Sequence, residues 1–95
     1  MRYYAVHYTY VDDPELIARH RPAHREYLSS LTALGLVAAG AYPDADAPGA
    51  LLIFTADDAE AVAELLVDDP FRTNDVISAR RIEYWTPVIG VFAEQ

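Results

Sequence analysis

Strand-like and helix-like segments alternate along this chain in an order that few small folds accommodate. Residues 2–10 are dominated by aromatic and β-branched side chains, which is typical of a β-strand. Three further strand-like segments cover residues 36–42, 50–55 and 76–85. Amphipathic helical patterns fill the interval after the first strand and the interval after the third. The predicted order is therefore strand, helix, strand, strand, helix, strand.

This order is that of the ferredoxin-like α+β fold, βαββαβ, in which four antiparallel strands form one sheet with both helices on one face. A chain of 95 residues predicts a single domain, 1–95. Apolar residues make up 53% of the chain, more than a lone small domain hides, so we expect a homodimer in which a second copy covers the bare sheet face. Residues 86–95 are predicted to form an extended tail at that interface.

Two prolines affect where helices start and break in the segment between the first two strands. An aspartate cap before Pro14 starts a helix, and Pro22 disfavours helical geometry in the residue before it. We therefore expect a short helix over residues 14–20, a kink, and a longer helix over residues 22–34 that Gly35 closes. One stripe of the longer helix carries a histidine in its first turn together with apolar side chains. Its members are His24, Tyr27, Leu28, Leu31 and Leu34.

The second helix is predicted over residues 58–67, with Asp57 as its cap and Glu60 as the capping-box partner. Its inward residues are predicted to be Ala59, Val62, Ala63 and Leu66. The helix ends at a short element that contains Asp69 and a proline. Because the dipole disfavours an acid at a helix C-terminus, Asp69 is expected to have a compensating partner.

His24 has two interpretations on local grounds. It is either a core histidine bonded to a backbone carbonyl or the centre of a site. A helix N-terminus disfavours the imidazolium and a nearby carboxylate favours it, a balance that suits a general acid or base. Asp69 is likewise either an ordinary turn aspartate or that carboxylate. Arg21 either binds an anionic substrate group or pairs with a neighbouring acid.

Charge and composition exclude several classes of partner. The net charge is −8, with 15 acidic residues against seven arginines, so we expect no nucleic-acid partner. No signal peptide and no long apolar run are evident, so we expect a cytoplasmic protein without a membrane partner. Cysteine is absent, and Pro22 lies between His20 and His24, so no metal site is predicted.

The chain resembles the YciI-like (YCII-related) family over about residues 3–88. The motifs that carry the resemblance are Arg21-Pro22-Ala23-His24, Tyr27-Leu28, Gly35, Ala39-Gly40, Gly49 and Asp69-Pro70-Phe71. The resemblance implies a ferredoxin-like fold that dimerises into an α/β barrel. It also implies an active-site histidine and aspartate, which correspond to His24 and Asp69, and an arginine that corresponds to Arg21. The chain departs from the family pattern at Arg25, at Ala41 and in residues 73–75.

The resemblance favours a cofactor-independent enzyme of the lyase or isomerase type. His24 and Asp69 would be its catalytic acid–base pair, acting on a small aromatic or lactone-like molecule. The predicted substrate-binding residues are Arg21, His7, Tyr8 and Phe71. One alternative is a non-catalytic dimer that binds a small ligand or regulates a partner. A second is a monooxygenase of the antibiotic-biosynthesis type, which rests on fold analogy alone.

Overall fold

The computed structural model describes residues 2–93. Eight elements follow one another along the chain: β1 (Arg2–Tyr10), α1 (Pro14–Leu31), a 3₁₀ turn (Thr32–Leu34), β2 (Leu36–Ala41), β3 (Gly49–Ala56), α2 (Ala59–Leu65), α3 (Pro70–Thr73) and β4 (Ile77–Trp85). The predicted domain 1–95 and its tail 86–95 include Met1 and residues 94 and 95, which lie outside the described range. None of the helices within residues 2–93 combines the length and apolar character that a membrane span requires.

The four strands form one antiparallel sheet in the order β2-β3-β1-β4. In the register of the central strands, Val6 of β1 lies opposite Leu52 of β3 and Ile82 of β4. This arrangement confirms the ferredoxin-like α+β fold. The alternation of a β-strand explains why the even-numbered side chains of β1 are buried on the helix side. They are Tyr4, Val6, Tyr8 and Tyr10.

The core lies between the sheet and the helices. From the helices it takes Ile17, Leu28 and Leu31 of α1, together with Val62 of α2 and Leu66 just after it. The opposite sheet face has no helix, and its edge positions Ala38 and Gly40 on β2 are exposed. After β4 the chain forms no regular element, and it leaves three apolar side chains almost fully exposed. They are Val88, Ile89 and Val91.

The predicted break at Pro22 is wrong, because α1 runs as one helix from Pro14 to Leu31 with Pro22 inside it. A proline within a helix removes one hydrogen bond and costs about 3 kcal/mol. The buried stripe of α1 extends across the proline, from Ile17 through His24 to Leu31, and its packing on the sheet offsets that cost. His24 consequently lies in the middle of the helix rather than in its first turn.

The helix ends also differ in detail from the prediction. Asp58, not Asp57, caps α2 by accepting a hydrogen bond from the N–H of Ala61 at 2.8 Å. Leu34 is 61% exposed, because the 3₁₀ turn winds more tightly than an α-helix and carries this residue off the buried stripe. Gly35 then adopts a φ of 123°, and a Cβ at that position would lie 2.5 Å from the carbonyl oxygen of Thr55. A glycine is therefore required where the chain enters β2.

Candidate active site

The structure brings His24 and Asp69 together across the gap between two helices. Nδ1 of His24, on α1, lies 2.7 Å from Oδ1 of Asp69. Asp69 does not end α2, as the sequence predicts, but is the N-cap residue of the separate helix α3. Pro70 is the first residue of α3, and the fixed φ angle of proline suits the start of a helix. The carboxylate therefore lies near backbone N–H groups rather than at the unfavourable end of a helix.

Asp69 is fully buried and receives hydrogen bonds from three elements. Besides His24, its Oδ1 accepts the backbone N–H of Phe71 at 3.0 Å, and its Oδ2 accepts the hydroxyl of Tyr8 at 3.2 Å. Burial, and then the proximity of the Asp69 carboxylate, raise the pKa of the Tyr8 hydroxyl. Tyr8 therefore remains a neutral donor. Three donors around one carboxylate hold Asp69 in a single orientation.

The imidazole of His24 is held in one plane and faces a cavity. Its ring stacks on Phe71 with centroids 3.8 Å apart and an angle of 4° between planes. Nε2 makes no hydrogen bond within residues 2–93. Because every buried side-chain nitrogen and oxygen in this range has a hydrogen-bond partner, Nε2 is not fully buried and contacts solvent. His24 lines a cavity of about 450 Å³ between α1 and the β2–β3 side of the sheet. His24 and Asp69 together are called the dyad. The dyad thus presents one free nitrogen, Nε2 of His24, to a cavity whose size suits a small ligand.

Tyr10 is a residue of this cavity that the sequence analysis missed. It lines the cavity, its ring packs edge-on against Phe71, and its hydroxyl makes no hydrogen bond among the described residues. Burial, followed by the charge of Asp69, raises the pKa of Tyr10 to about 12, although Arg21 and Arg25 oppose the rise. Tyr10 therefore offers a neutral hydroxyl to a ligand at neutral pH. The only signal in the sequence is its place on the same strand face as Tyr8.

The raised pKa of Tyr10 predicts a loss of stability in alkali. As pH rises, tyrosine in the unfolded chain loses its proton near pH 10, whereas folded Tyr10 keeps its proton to about pH 12. Between these values the unfolded state binds fewer protons than the folded state. The free energy of unfolding therefore falls as pH rises from about 10 to 12. Tyr8 contributes in the same direction. In Tyr10→Phe we expect a shallower fall, by up to about 1.4 kcal/mol per pH unit. Urea denaturation from pH 9 to about 12 measures it. Tyr84→Phe, at an exposed ring, is the control, and equal slopes in wild type and Tyr10→Phe would contradict the prediction.

The four predicted substrate-binding residues do not share one position. Arg21 and Phe71 line the cavity beside His24. Tyr8 is only 1% exposed, does not line this cavity, and donates its hydroxyl hydrogen bond to Asp69. His7 is on the opposite face of β1, because neighbouring strand residues point to opposite sides. Its Nδ1 lies 2.9 Å from the hydroxyl of Tyr42, and it lines a different cavity. Neither His7 nor Tyr8 lines the His24 cavity, and substrate contact by these two residues stays a prediction.

Three further arginines, in and before β4, do not line the His24 cavity. Arg72 donates to the carbonyl of Val67, Arg81 pairs with Glu83, and Arg80 lines the cavity of His7. Within residues 2–93, no group of three histidine, aspartate or glutamate side chains is arranged to hold a metal ion. The local chemistry of the His24 cavity is thus that of an acid–base pair, a neutral phenol and two arginines.

Comparison with solved structures shows other proteins that share this fold. A solved structure of 5-chloro-2-hydroxyhydroquinone dehydrochlorinase from Burkholderia phenoliruptrix, in complex with 2,5-dihydroxybenzoquinone, is similar to 88% of this chain and 93% of its own, with a TM-score of 0.77 and 22% identity. A protein named as an antibiotic biosynthesis monooxygenase, from Bacteriodes thetaiotaomicron, has a TM-score of 0.59 and 16% identity over 99% of this chain and 95% of its own. At these identities the likeness shows the fold alone, which is the ferredoxin-like α+β fold.

The family assignment rests on a separate comparison. A search of curated proteins finds no significant match to this sequence. The family profile of the YCII-related domain, in contrast, matches residues 1–86, which is nearly the whole chain and includes both members of the dyad. The chain therefore belongs to the YCII-related family.

Proposed function

We propose that this chain is an enzyme of the lyase or isomerase type, in which His24 moves a proton on a small molecule and Asp69 orients it. The observation that carries the proposal is the distance of 2.7 Å between Nδ1 of His24 and the buried Oδ1 of Asp69, while Nε2 remains free toward a cavity. A histidine held in this way has one fixed nitrogen and one reactive nitrogen, which is the arrangement of a general acid or base.

The proposed chemical step begins with neutral His24. Asp69 accepts a hydrogen bond from Nδ1–H, so the lone pair is on Nε2 and removes a proton from a carbon next to a carbonyl group. The electron pair of the broken C–H bond forms a C=C bond while the π pair of the carbonyl moves to its oxygen, which gives an enolate. In an isomerisation the imidazolium returns the proton to another carbon of the enolate and the carbonyl re-forms. In an elimination the carbonyl re-forms as a leaving group on the next carbon departs with its own bonding pair, and the imidazolium then releases its proton to water. The Asp69 carboxylate stabilises the imidazolium between these steps.

Each neighbour of the dyad has a role in this proposal. Arg21 and Phe71 contact the substrate, and Tyr10 donates a hydrogen bond to one of its oxygens. Tyr8 positions Asp69. Proton transfer of this kind needs no cofactor, and the proposal includes none. A fold match to an enzyme named as a dehydrochlorinase of a chlorinated hydroxyhydroquinone supports elimination from a small hydroxylated ring as the first reaction to examine.

The experiment is a turnover screen of the purified protein. Its panel contains chlorinated and unchlorinated hydroquinones and unsaturated lactones, and it measures chloride release, absorbance and deuterium incorporation by NMR. We expect turnover or exchange with at least one class, and loss of that rate when His24 is replaced. A rate that survives the replacement would contradict the proposal. Turnover that consumes dioxygen would favour the monooxygenase alternative, and binding without turnover would favour the non-catalytic alternative.

We also propose that the protein is a homodimer joined through the sheet face that carries no helix. Exposed Ala38 and Gly40 on β2, and the exposed apolar residues Val88, Ile89 and Val91 after β4, support a covered surface. Analytical ultracentrifugation at micromolar concentration should give a mass of twice the chain mass of 10.6 kDa. A mass of a single chain would contradict the proposal.

A further inference from the structure

We propose that Arg21 and Arg25 form an anion-binding pair at the mouth of the His24 cavity, and that the substrates of this site are small ring molecules with an anionic oxygen. Arg25 is the new element of this site. The inference rests on the proposed function, because it names the class of substrate on which His24 would act. The ligand chemistry is that of a carboxylate or an ionised phenol attached to a small ring.

The distribution of charge is the first argument. The chain carries 15 acidic residues and only seven arginines, yet two of the arginines line the cavity and none of the acids does. Asp69 lies behind His24 and is fully buried. The charged side chains that line the cavity are therefore opposite in sign to the net charge of the whole molecule. A local positive field in an acidic protein attracts anions to one place and repels cations from it.

The second argument is the arrangement of the two arginines on α1. Arg21 and Arg25 are four residues apart, so they lie one above the other on the same helix face, and His24 is between them in sequence. Like charges at this spacing repel each other. Within residues 2–93 neither guanidinium forms an ion pair or a side-chain hydrogen bond. A bound anion would satisfy both groups and remove the repulsion.

The third argument is that the charges of Arg21 and Arg25 both act on a group inside the cavity. Arg21 and Arg25 each oppose the rise in the pKa of Tyr10, whose hydroxyl is beside the dyad. Below them the cavity wall is mostly apolar. Its buried members are Leu28, Leu36, Ala50, Leu52 and Phe71. A ligand that matches this wall has an apolar ring in the cavity and an anionic group toward the two guanidinium groups.

Three ligands of nearly equal size and different charge test the inference: benzoate, benzyl alcohol and benzylamine. NMR titration of the full chain measures their dissociation constants at low and at physiological ionic strength. We expect benzoate to bind at least about tenfold more tightly than benzyl alcohol, and benzylammonium to bind most weakly. Added salt should weaken benzoate binding and leave benzyl alcohol binding nearly unchanged. Equal affinity for benzoate and benzyl alcohol would overturn the inference.

Replacement of one arginine at a time tests which side chains bind the carboxylate of benzoate. Arg25→Gln and Arg21→Gln should each weaken benzoate binding about three- to tenfold and leave benzyl alcohol binding unchanged. The matched control is Arg19→Gln, at an exposed arginine of the same helix that does not line the cavity, and it should not change the preference. If Arg25→Gln lowers the affinity for all three ligands equally, or for none, Arg25 does not bind the anion and the proposed pair is overturned.

His24→Asn separates this inference from the proposed function. The variant keeps both arginines, so it should still prefer benzoate over benzyl alcohol. Turnover that survives in His24→Asn contradicts the acid–base proposal and leaves the anion site intact. Binding alone tests the anion site, without reference to turnover. Loss of the benzoate preference in the arginine variants supports the site, and absence of that preference from the wild type contradicts it.

Discussion

Replacement of His24 by asparagine is expected to lower kcat by about 10²- to 10⁴-fold for the substrate that the turnover screen identifies. The asparagine amide nitrogen takes the place of Nδ1 and can donate to Oδ1 of Asp69, which preserves the buried contact. It offers no equivalent of Nε2 to the cavity. The variant therefore removes the proton-transfer group and retains the hydrogen bond that stabilises the fold. Steady-state kinetics give kcat, and circular dichroism with urea denaturation checks folding.

His20→Asn is the matched control for this experiment. His20 is on the same helix and is only partly buried, and it does not line the cavity. We expect its kcat to stay within about twofold of the wild type, because surface changes away from a site have small effects. If both histidine variants turn over at similar rates while folded, His24 is not the proton-transfer group. A rise in KM with unchanged kcat would make His24 a binding residue only.

Replacement of Asp69 by alanine should lower the free energy of unfolding by about 3–5 kcal/mol, because each buried donor left without an acceptor costs about 1–3 kcal/mol. Three donors then lose their acceptor: Nδ1 of His24, the hydroxyl of Tyr8 and the N–H of Phe71. No water shell replaces it, because the position is fully buried. A loss of this size is a large part of the stability of a small domain. Urea denaturation at one protein concentration measures it.

Two further variants sharpen this experiment. Asp68→Ala changes the neighbouring exposed aspartate and should alter stability by less than about 0.5 kcal/mol. Asp69→Asn keeps one oxygen acceptor and removes the charge, so its stability should lie between those of the wild type and Asp69→Ala. Coincident denaturation curves for Asp69→Ala and Asp68→Ala would show that the contacts of the Asp69 carboxylate contribute nothing to folding.

The strands of this protein were predictable because each depends on a local alternation of side chains. The alternation along β1 separates Tyr4, Val6, Tyr8 and Tyr10 from the residues of the other face, and the structure shows that this set is the one buried against the helices. The helix boundaries were less predictable. Asp57 and Asp58 are equivalent as cap candidates in the sequence, and only the packing of α2 selects Asp58. The continuity of α1 through Pro22 was not predictable, because it depends on burial against the sheet.

The candidate site was predictable only in part. The spacing of residues placed His24 on a buried stripe, but the pairing of His24 with Asp69 followed from the family resemblance, since the two residues are 45 positions apart. Tyr10 and Arg25 were assigned no role in the site, because nothing in the local sequence shows which side chains border a cavity. His7 shows the same limit: its position in β1 does not reveal from the sequence that it lies on the sheet face opposite His24 and lines a different cavity.

The sequence by itself determined the order of the elements, the alternation that divides the side chains of β1 into two faces, and the excess of acidic residues over arginines. These are properties of short segments and of composition, and they need no knowledge of distant contacts. The tertiary structure alone decided that α1 passes through Pro22, that Asp69 caps α3, and which two arginines border the cavity. Those outcomes depend on burial and electrostatics between residues far apart in the chain. Such energies exist only once the sheet and the helices have packed together.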